Sequence, residues 1–191
     1  MTIAEVHRIP RGAVRAPLPC LVQRTDYTCG AAAVLVVSRY FGVGRKAEAA
    51  VVRDMGFGPL GSDPAHLVRA LRRYRLRFVE HRGMTDTALR AALDRGRPVI
   101  VMLQAWGDRT RYRDHWRDGH WVVVIGYDQR GVYFEDPIIE GARGFVTYPA
   151  LADRWHDLEG PTQRRVQRYG LVVWGARVRE RGRVRGAISP G

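Results

Sequence analysis

One cysteine in this sequence stands where a helix is predicted to begin. Cys29 follows Asp26-Tyr27-Thr28, whose side chains can cap a helix, and it precedes an apolar run that Gly42 and Gly44 end. The positive end of a helix dipole favours the thiolate, which is the reactive form of cysteine. Cys29 is therefore a candidate nucleophile, although a lone cysteine before an alanine-rich run is more often a core residue.

A histidine and a carboxylate stand at the two ends of one predicted hairpin. His120 precedes the run Trp121 to Tyr127, which is the strongest strand in the sequence. Asp136 follows the run Val132 to Glu135, and Asp128 to Gly131 supplies the turn. Because the first strand begins where the second one ends, we expect the imidazole and the carboxylate to be neighbours. The carboxylate would then orient His120 as a general base towards Cys29.

Gln23 lies six residues before Cys29 and completes this set. Its side-chain amide can donate to a developing oxyanion, together with the Cys29 backbone N–H. Taken alone, each residue has an ordinary structural interpretation, and an aspartate before a proline is a common turn residue. Their order, with the cysteine opening a helix and the histidine opening a strand, indicates nucleophilic catalysis.

The order of the predicted elements favours an α+β fold with an antiparallel sheet, because helices come first and hairpin-linked strands come after them. We predict an extended arm over residues 1–18, one domain over 19–175 and a basic, disordered tail over 176–191. The long polar loop Ala105 to Gly119 carries Trp106 and Trp116 and could line a groove. The predicted helices span 29–41, 46–55, 86–95 and 148–155, with another starting at Ser62-Asp63-Pro64, and the predicted strands span 18–22, 77–81, 99–103, 121–127, 132–135, 144–146 and 169–174.

The charge of the chain is strongly positive, at +13 over 191 residues, and Lys46 is the one lysine. Such a charge suits an acidic peptide, an anionic surface or nucleic acid, although arginine-rich codon usage explains it equally well. No RNA-recognition motif, zinc-finger spacing or heptad repeat is present, so nucleic acid is not expected as a partner. We interpret the basic surface as suited to an acidic peptide or protein substrate.

Two cysteines, Cys20 and Cys29, do not make a disulfide framework, and no CxxC pair indicates zinc. His115 and His120 lack the fixed spacing of metal ligands, so neither a metal nor a cofactor is expected. No run reaches transmembrane length and no signal peptide is visible, which predicts a cytoplasmic protein.

Several segments, in order between about Pro19 and Trp174, resemble one family. They are Gln23, Tyr27-Thr28-Cys29-Gly30-Ala31-Ala32, Tyr40-Phe41-Gly42, Gly119-His120-Trp121-Val122-Val123-Val124-Ile125-Gly126-Tyr127 and Glu135-Asp136-Pro137. The chain resembles the C39 peptidases, the papain-like group that removes leader peptides after a double glycine, often as the N-terminal domain of a bacteriocin-exporting ABC transporter. Thr28 departs from many exporter-linked members, which carry aspartate directly before the cysteine.

This resemblance implies a papain-like cysteine peptidase fold, with an N-terminal helical part whose nucleophile helix packs on a C-terminal antiparallel β-sheet. It also implies that Cys29 is the nucleophile, His120 the general base and acid, Asp136 the orienting carboxylate and Gln23 the oxyanion-hole donor. The reaction would pass through a thioester acyl-enzyme, with narrow pockets for glycine or alanine before the cleaved bond. No membrane domain or ATPase is present in the sequence, so we expect a free-standing peptidase with a possible exporter partner.

Two other functions suit the same residues. An acyl transferase would use the same triad with an amine instead of water, and a catalytically silent module would bind a peptide without cutting it. The segment Arg154-Trp155-His156-Asp157 also resembles stand-alone, C39-like bacterial proteins. We expect a structural tryptophan and a surface turn there, without a chemical role.

Overall fold

The computed structural model describes residues 3–106, 111–160 and 162–175. The predicted basic tail over 176–191 and part of the loop Ala105 to Gly119 lie outside the described residues. Each predicted helix is present, with its ends within two residues of the prediction. The helices in the described part of the chain are α1 Cys29–Phe41, α2 Glu48–Met55, α3 Pro64–Arg73, α4 Asp86–Asp94 and α5 Tyr148–Arg154.

The strands form one large sheet and one small hairpin, and every strand pair in the described residues is antiparallel. The large sheet has the order β1-β7-β6-β5-β4-β10-β3, with β2 paired to β5, and β8 pairs with β9. The predicted α+β class is confirmed. The strands are β1 Ala4–Val6, β2 Val14–Arg15, β3 Arg77–Arg82, β4 Val99–Gln104, β5 Gly119–Tyr127, β6 Gly131–Glu135, β7 Arg143–Thr147, β8 His156–Glu159, β9 Arg164–Gln167 and β10 Tyr169–Trp174.

The central strands of the sheet are buried on both faces, and the side chains of β5 alternate between two apolar clusters. Trp121, Val123 and Ile125 belong to a cluster that also holds the apolar residues of α1 and α3. Val122 and Val124 belong to a second cluster with residues of α4 and α5. Because successive side chains of a strand point to opposite faces, a strand buried on both sides reads as a continuous apolar run.

Helix α1 begins and ends where its sequence indicates, and residues 29–38 are all buried. Gly42 ends it in the left-handed conformation, with φ 71°, and its N–H donates to Arg39 and Ser38 carbonyl oxygens. The predicted side-chain cap at its start is wrong. The Thr28 hydroxyl instead donates to the Thr25 carbonyl oxygen at 3.0 Å, inside the turn that precedes the helix.

Three further differences from the sequence prediction come from pairing that is not local. Residues 18–22 form no strand. Backbone groups of this segment bond to side chains instead, since the Leu21 N–H donates to Glu135 and the Leu18 carbonyl oxygen accepts from Arg143. The hairpin of β8 and β9 was missed, since its alternation is polar and weak. Two short strands, β1 and β2, arise within residues 3–18 by adding to β7 and β5. Of the helices described here, none is long and apolar enough to cross a membrane.

Candidate active site

The N-terminus of α1 approaches the sheet closely because its second residue is glycine. A Cβ atom at Gly30 would lie 3.1 Å from Trp121 Cδ1 and 3.2 Å from Leu67 Cδ1, and it would collide with Ser62 Oγ. Trp121 Nε1 in turn donates to the Ser62 carbonyl oxygen at 2.8 Å. The close packing of Gly30 on Trp121 brings the neighbouring residues, Cys29 and His120, towards each other. Cys29 is only 8% exposed.

His120 and Asp136 form a buried hydrogen-bonded pair. In the β5–β6 hairpin Val123 pairs with Glu135, so Asp136 comes next to Val122. His120 lies two residues before Val122 and therefore on the same face of the strand. His120 Nε2 is 2.8 Å from Asp136 Oδ1, and the two residues are 2% and 4% exposed. The predicted juxtaposition of imidazole and carboxylate is present.

The Cys29 thiol also affects the pKa of the His120 imidazole. Burial lowers the pKa of His120, but the hydrogen bonds to Asp136 and to Cys29, together with their charges, raise that pKa from 6.5 to about 9. Because Nε2 is bonded to Asp136, Nδ1 is the ring atom left for another partner. The raised pKa favours the imidazolium form of His120, and a neighbouring imidazolium is one of the environments that activate a cysteine.

Gln23 lies beside Asp136 on a backbone segment that we call the strap, residues 18–24. The Gln23 N–H donates to the Pro137 carbonyl oxygen at 2.7 Å, which joins the strap to the residue after Asp136. Gln23 Nε2 donates to the Thr25 carbonyl oxygen at 2.7 Å, and its buried Oε1 has no hydrogen-bond partner among the described residues. An amide NH₂ group carries two hydrogens, so one remains for another acceptor.

A buried ion pair of β6 and β7 holds the strap in place. Glu135 Oε1 accepts from the Leu21 N–H at 2.9 Å, and Arg143 Nη2 donates to the Leu18 carbonyl oxygen at 3.0 Å. Arg143 Nη1 lies 2.7 Å from Glu135 Oε2, close enough for an ion pair although the angle does not suit a hydrogen bond. Burial raises the pKa of Glu135, which the charge of Arg143 partly offsets. The sequence alone assigns neither residue this role, since Glu135 stands in the resembling segment Glu135-Asp136-Pro137 without a function of its own and Arg143 lies in none of those segments.

The segment Arg154-Trp155-His156-Asp157 is not a surface turn, which corrects the prediction. All four residues are buried, at 1%, 1%, 5% and 8% exposure. Arg154 Nη1 donates to the Gln104 carbonyl oxygen at 2.9 Å, and its guanidinium lies 3.5 Å from the centre of the Tyr112 ring. His156 Nε2 bonds the His115 carbonyl oxygen at 2.7 Å. The segment therefore anchors the loop between β4 and β5.

That loop places an aromatic ring on the candidate base. The Trp106 ring centre lies 5.1 Å from that of His120, and Trp106 remains 42% exposed. In the part of the chain that the structure describes, no group of three or more His, Cys, Asp or Glu side chains is arranged to hold a metal ion. The chemistry available is that of a thiol, an imidazole, a carboxylate and amide donors.

Comparison with known proteins identifies a family for most of the chain. The model of the Peptidase_C39 like family matches residues 16–162. A search of curated proteins finds no match. This matched range contains Gln23, Cys29, His120 and Asp136.

Solved structures share the fold at low sequence identity. A C39-like peptidase from Bacillus anthracis has a TM-score of 0.67 at 16% identity, covering 85% of this chain and 98% of that one. The peptidase domain of Streptococcus ComA, a bifunctional ABC transporter, gives 0.59 at 16% identity, with 83% and 97% covered. A double glycine motif protease from an AMS/PCAT transporter, in complex with the leader peptide, gives 0.55 at 22%, with 91% and 98% covered.

Proposed function

Because the chain belongs to the Peptidase_C39 like family, we propose that it is a cysteine peptidase that uses Cys29 as nucleophile. The observation that carries the proposal is the position of His120, which is bonded to Asp136 and whose pKa the Cys29 thiol helps to raise. A buried imidazole oriented by a carboxylate and near a thiol at a helix N-terminus is the arrangement expected for an activated cysteine.

In the proposed reaction the Cys29 thiolate attacks the carbonyl carbon of the peptide bond, and the carbonyl electrons move onto its oxygen. The oxyanion accepts hydrogen bonds from the Cys29 N–H, which has no acceptor within the helix, and from Gln23 Nε2. The His120 imidazolium then gives its proton to the leaving amine as the C–N bond breaks, which leaves a thioester. Neutral His120 next takes a proton from water, whose oxygen attacks the thioester and releases Cys29 and the acid.

Asp136 and Gln23 have supporting roles in this mechanism. Asp136 fixes the imidazole so that Nδ1 faces Cys29, and it stabilises the charged ring. Gln23 would rotate from its bond with the Thr25 carbonyl, or use its second amide hydrogen, when the oxyanion forms. The ion pair of Glu135 and Arg143 holds the strap that carries Gln23.

We infer the substrate class from the family and from the charge of the chain. Structural relatives include a double glycine motif protease bound to a leader peptide, which supports a junction of two small residues before the cleaved bond. A chain with net charge +13 suits an acidic leader segment. An exporter would be the corresponding partner, by analogy with the transporter-linked relatives.

One exposed aromatic side chain at the site suggests which residues would suit the leaving side of the substrate. The leaving amine takes its proton from His120, so the chain after the cleaved bond would pass Trp106, which is 42% exposed. Trp106 would favour an apolar residue after the cleaved bond.

The test is cleavage of acidic peptides that carry a Gly-Gly or a Gly-Ala junction, by the wild-type chain and by Cys29→Ala. We expect cleavage after the junction by the wild type alone, and a peptide with leucine in place of the second small residue should resist. Cleavage of equal rate by Cys29→Ala contradicts the proposal. Alkylation by iodoacetamide at pH 5–6 adds a measurement without substrate, and a Cys29 that reacts only near an ordinary thiol pKa of about 8.5 also contradicts it.

A further inference from the structure

The residue directly before His120 packs against a buried carboxylate. A Cβ atom at Gly119 would lie 2.6 Å from Asp157 Cγ and 2.7 Å from Asp157 Oδ1, and closer still to Oδ2. Such distances are below those of real Cβ contacts, so the Gly119 backbone rests on the carboxylate itself. Asp157 therefore supports the start of β5 from the side away from Asp136.

The orientation of that carboxylate is fixed by two donors. Asp157 Oδ1 accepts from Gln104 Nε2 at 2.9 Å and from the Leu158 N–H at 2.8 Å. Burial raises the pKa of Asp157 to about 6, and these two hydrogen bonds oppose the rise. The side chain cannot turn away without breaking both bonds inside the protein, so it acts as a fixed surface.

Gln104 connects this carboxylate to the strand that pairs with His120. Gln104 is fully buried, it pairs with Gly119 across β4 and β5, and Leu103 pairs with His120. Its Oε1 accepts from the Asp118 N–H at 3.0 Å, and its Nε2 also donates to the His156 carbonyl oxygen at 3.1 Å. The backbone next to Gly119 and the carboxylate beneath it are thus held by one amide side chain.

We propose that Asp157, oriented by Gln104, is a positioning residue that sets the backbone at Gly119 and so aims the His120 imidazole at Cys29. A role in catalysis rests on the function proposed above. The contact between Asp157 and Gly119 does not depend on any substrate. A displacement of about 1 Å of a catalytic group is enough to reduce a rate by about 10²-fold. A shift of Gly119 can therefore affect the rate through the adjacent His120.

The experiment adds a methyl group at Gly119 in one variant and removes the Asp157 carboxylate in another. In Gly119→Ala the new methyl and the Asp157 carboxylate compete for one space, so we expect the start of β5 to shift and the contacts of His120 with Asp136 and Cys29 to weaken. The pKa of His120, measured by NMR titration of its ring signals, should fall by at least about one unit, since loss of a bonded charge partner shifts a pKa by that much. In Asp157→Gly the Gly119 backbone loses the carboxylate on which it rests, so the pKa of His120 should fall in this variant too.

Two controls separate positioning from general damage. Gly126→Ala places a methyl against the Val14 carbonyl oxygen and 3.3 Å from Arg15 Cα, at the far end of β5, so it should lower stability without moving the His120 titration. Asp157→Asn retains the volume and an acceptor for Gln104, so it should titrate like the wild type. An unchanged His120 pKa in either Gly119→Ala or Asp157→Gly overturns the proposal.

The failure of this proposal can be told from the failure of the proposed function. If the NMR pattern holds but no peptide is cleaved, Asp157 positions His120 in a protein that is not a peptidase. If peptides are cleaved, kcat for Gly119→Ala and for Asp157→Gly should drop at least about tenfold with little change in KM, and Asp157→Asn should retain most of it. Cleavage at the wild-type rate by Gly119→Ala contradicts the positioning role alone.

Discussion

His120 Nε2 lies 2.8 Å from Asp136 Oδ1 in a position where both side chains are almost fully buried. Such a pair is stable only while its hydrogen bond persists, because removing either partner leaves a buried polar group unsatisfied. The pair arises from a hairpin whose register places both residues at one edge of the sheet.

Replacement of Asp136 by asparagine should change the pH dependence of stability. The pKa of His120 is raised from 6.5 to about 9, so folding takes up a proton over that interval. The stabilisation is fully present below pH 6.5 and is lost as the pH rises through about 9. Urea unfolding should therefore show a wild-type advantage over Asp136→Asn at about pH 6 that disappears near pH 10. A wild-type advantage in stability that grows with pH would contradict this assignment. The peptidase activity of Asp136→Asn should fall at least about tenfold.

Removal of the Gln23 amide should reduce kcat while leaving KM nearly unchanged. An oxyanion donor acts on the charge that develops during reaction, and loss of one such donor costs about 10²-fold or more in kcat. The measurement is steady-state cleavage by Gln23→Ala. Gln129→Ala is a matched control, since Gln129 is exposed in the turn at the far end of the hairpin. A large rise in KM with normal kcat would instead assign Gln23 to substrate binding.

Disruption of the ion pair between Arg143 and Glu135 should destabilise the protein strongly. Arg143→Met leaves Glu135 buried without its cation, which typically costs about 3–5 kcal/mol in unfolding free energy. Adding Glu135→Gln should recover part of that loss, because the remaining side chain is neutral. Arg130→Met removes an exposed pair with Asp128 and should cost far less, because solvent screens a surface ion pair. Equal losses in the Arg143 and Arg130 variants would show that the buried pair is not important.

Truncation of Trp106 should weaken the site without unfolding the chain. Its ring lies on His120 while much of the side chain is exposed, so Trp106→Ala opens the imidazole to water and removes a surface for substrate. We expect kcat/KM to fall by about tenfold, with a smaller loss in Trp106→Phe, as one aromatic contact is worth about 1 kcal/mol. The thermal midpoint should change by only a few degrees. A cleavage rate independent of the residue at 106 would remove Trp106 from the substrate path.

Most helices and strands could be predicted from the sequence because neighbouring residues determine them. The apolar run after Cys29 and the glycines that end it predict α1, and the alternation of turns and apolar runs predicts β4, β5 and β6. The predicted hairpin also placed Asp136 next to His120, since a tight turn between two strands sets which residues lie at the same end of the strand pair.

The tertiary structure alone decided how these elements meet. Nothing in the spacing shows that Gly30 packs on Trp121, or that Glu135 and Arg143 hold the strap that carries Gln23. Asp157, read from sequence as part of a surface turn, supports Gly119 from within the core. Such contacts join residues far apart in the chain, and they depend on packing and on the satisfaction of buried polar groups. The sequence by itself determined which side chains are candidates for the chemistry, and the packing decided how they are placed.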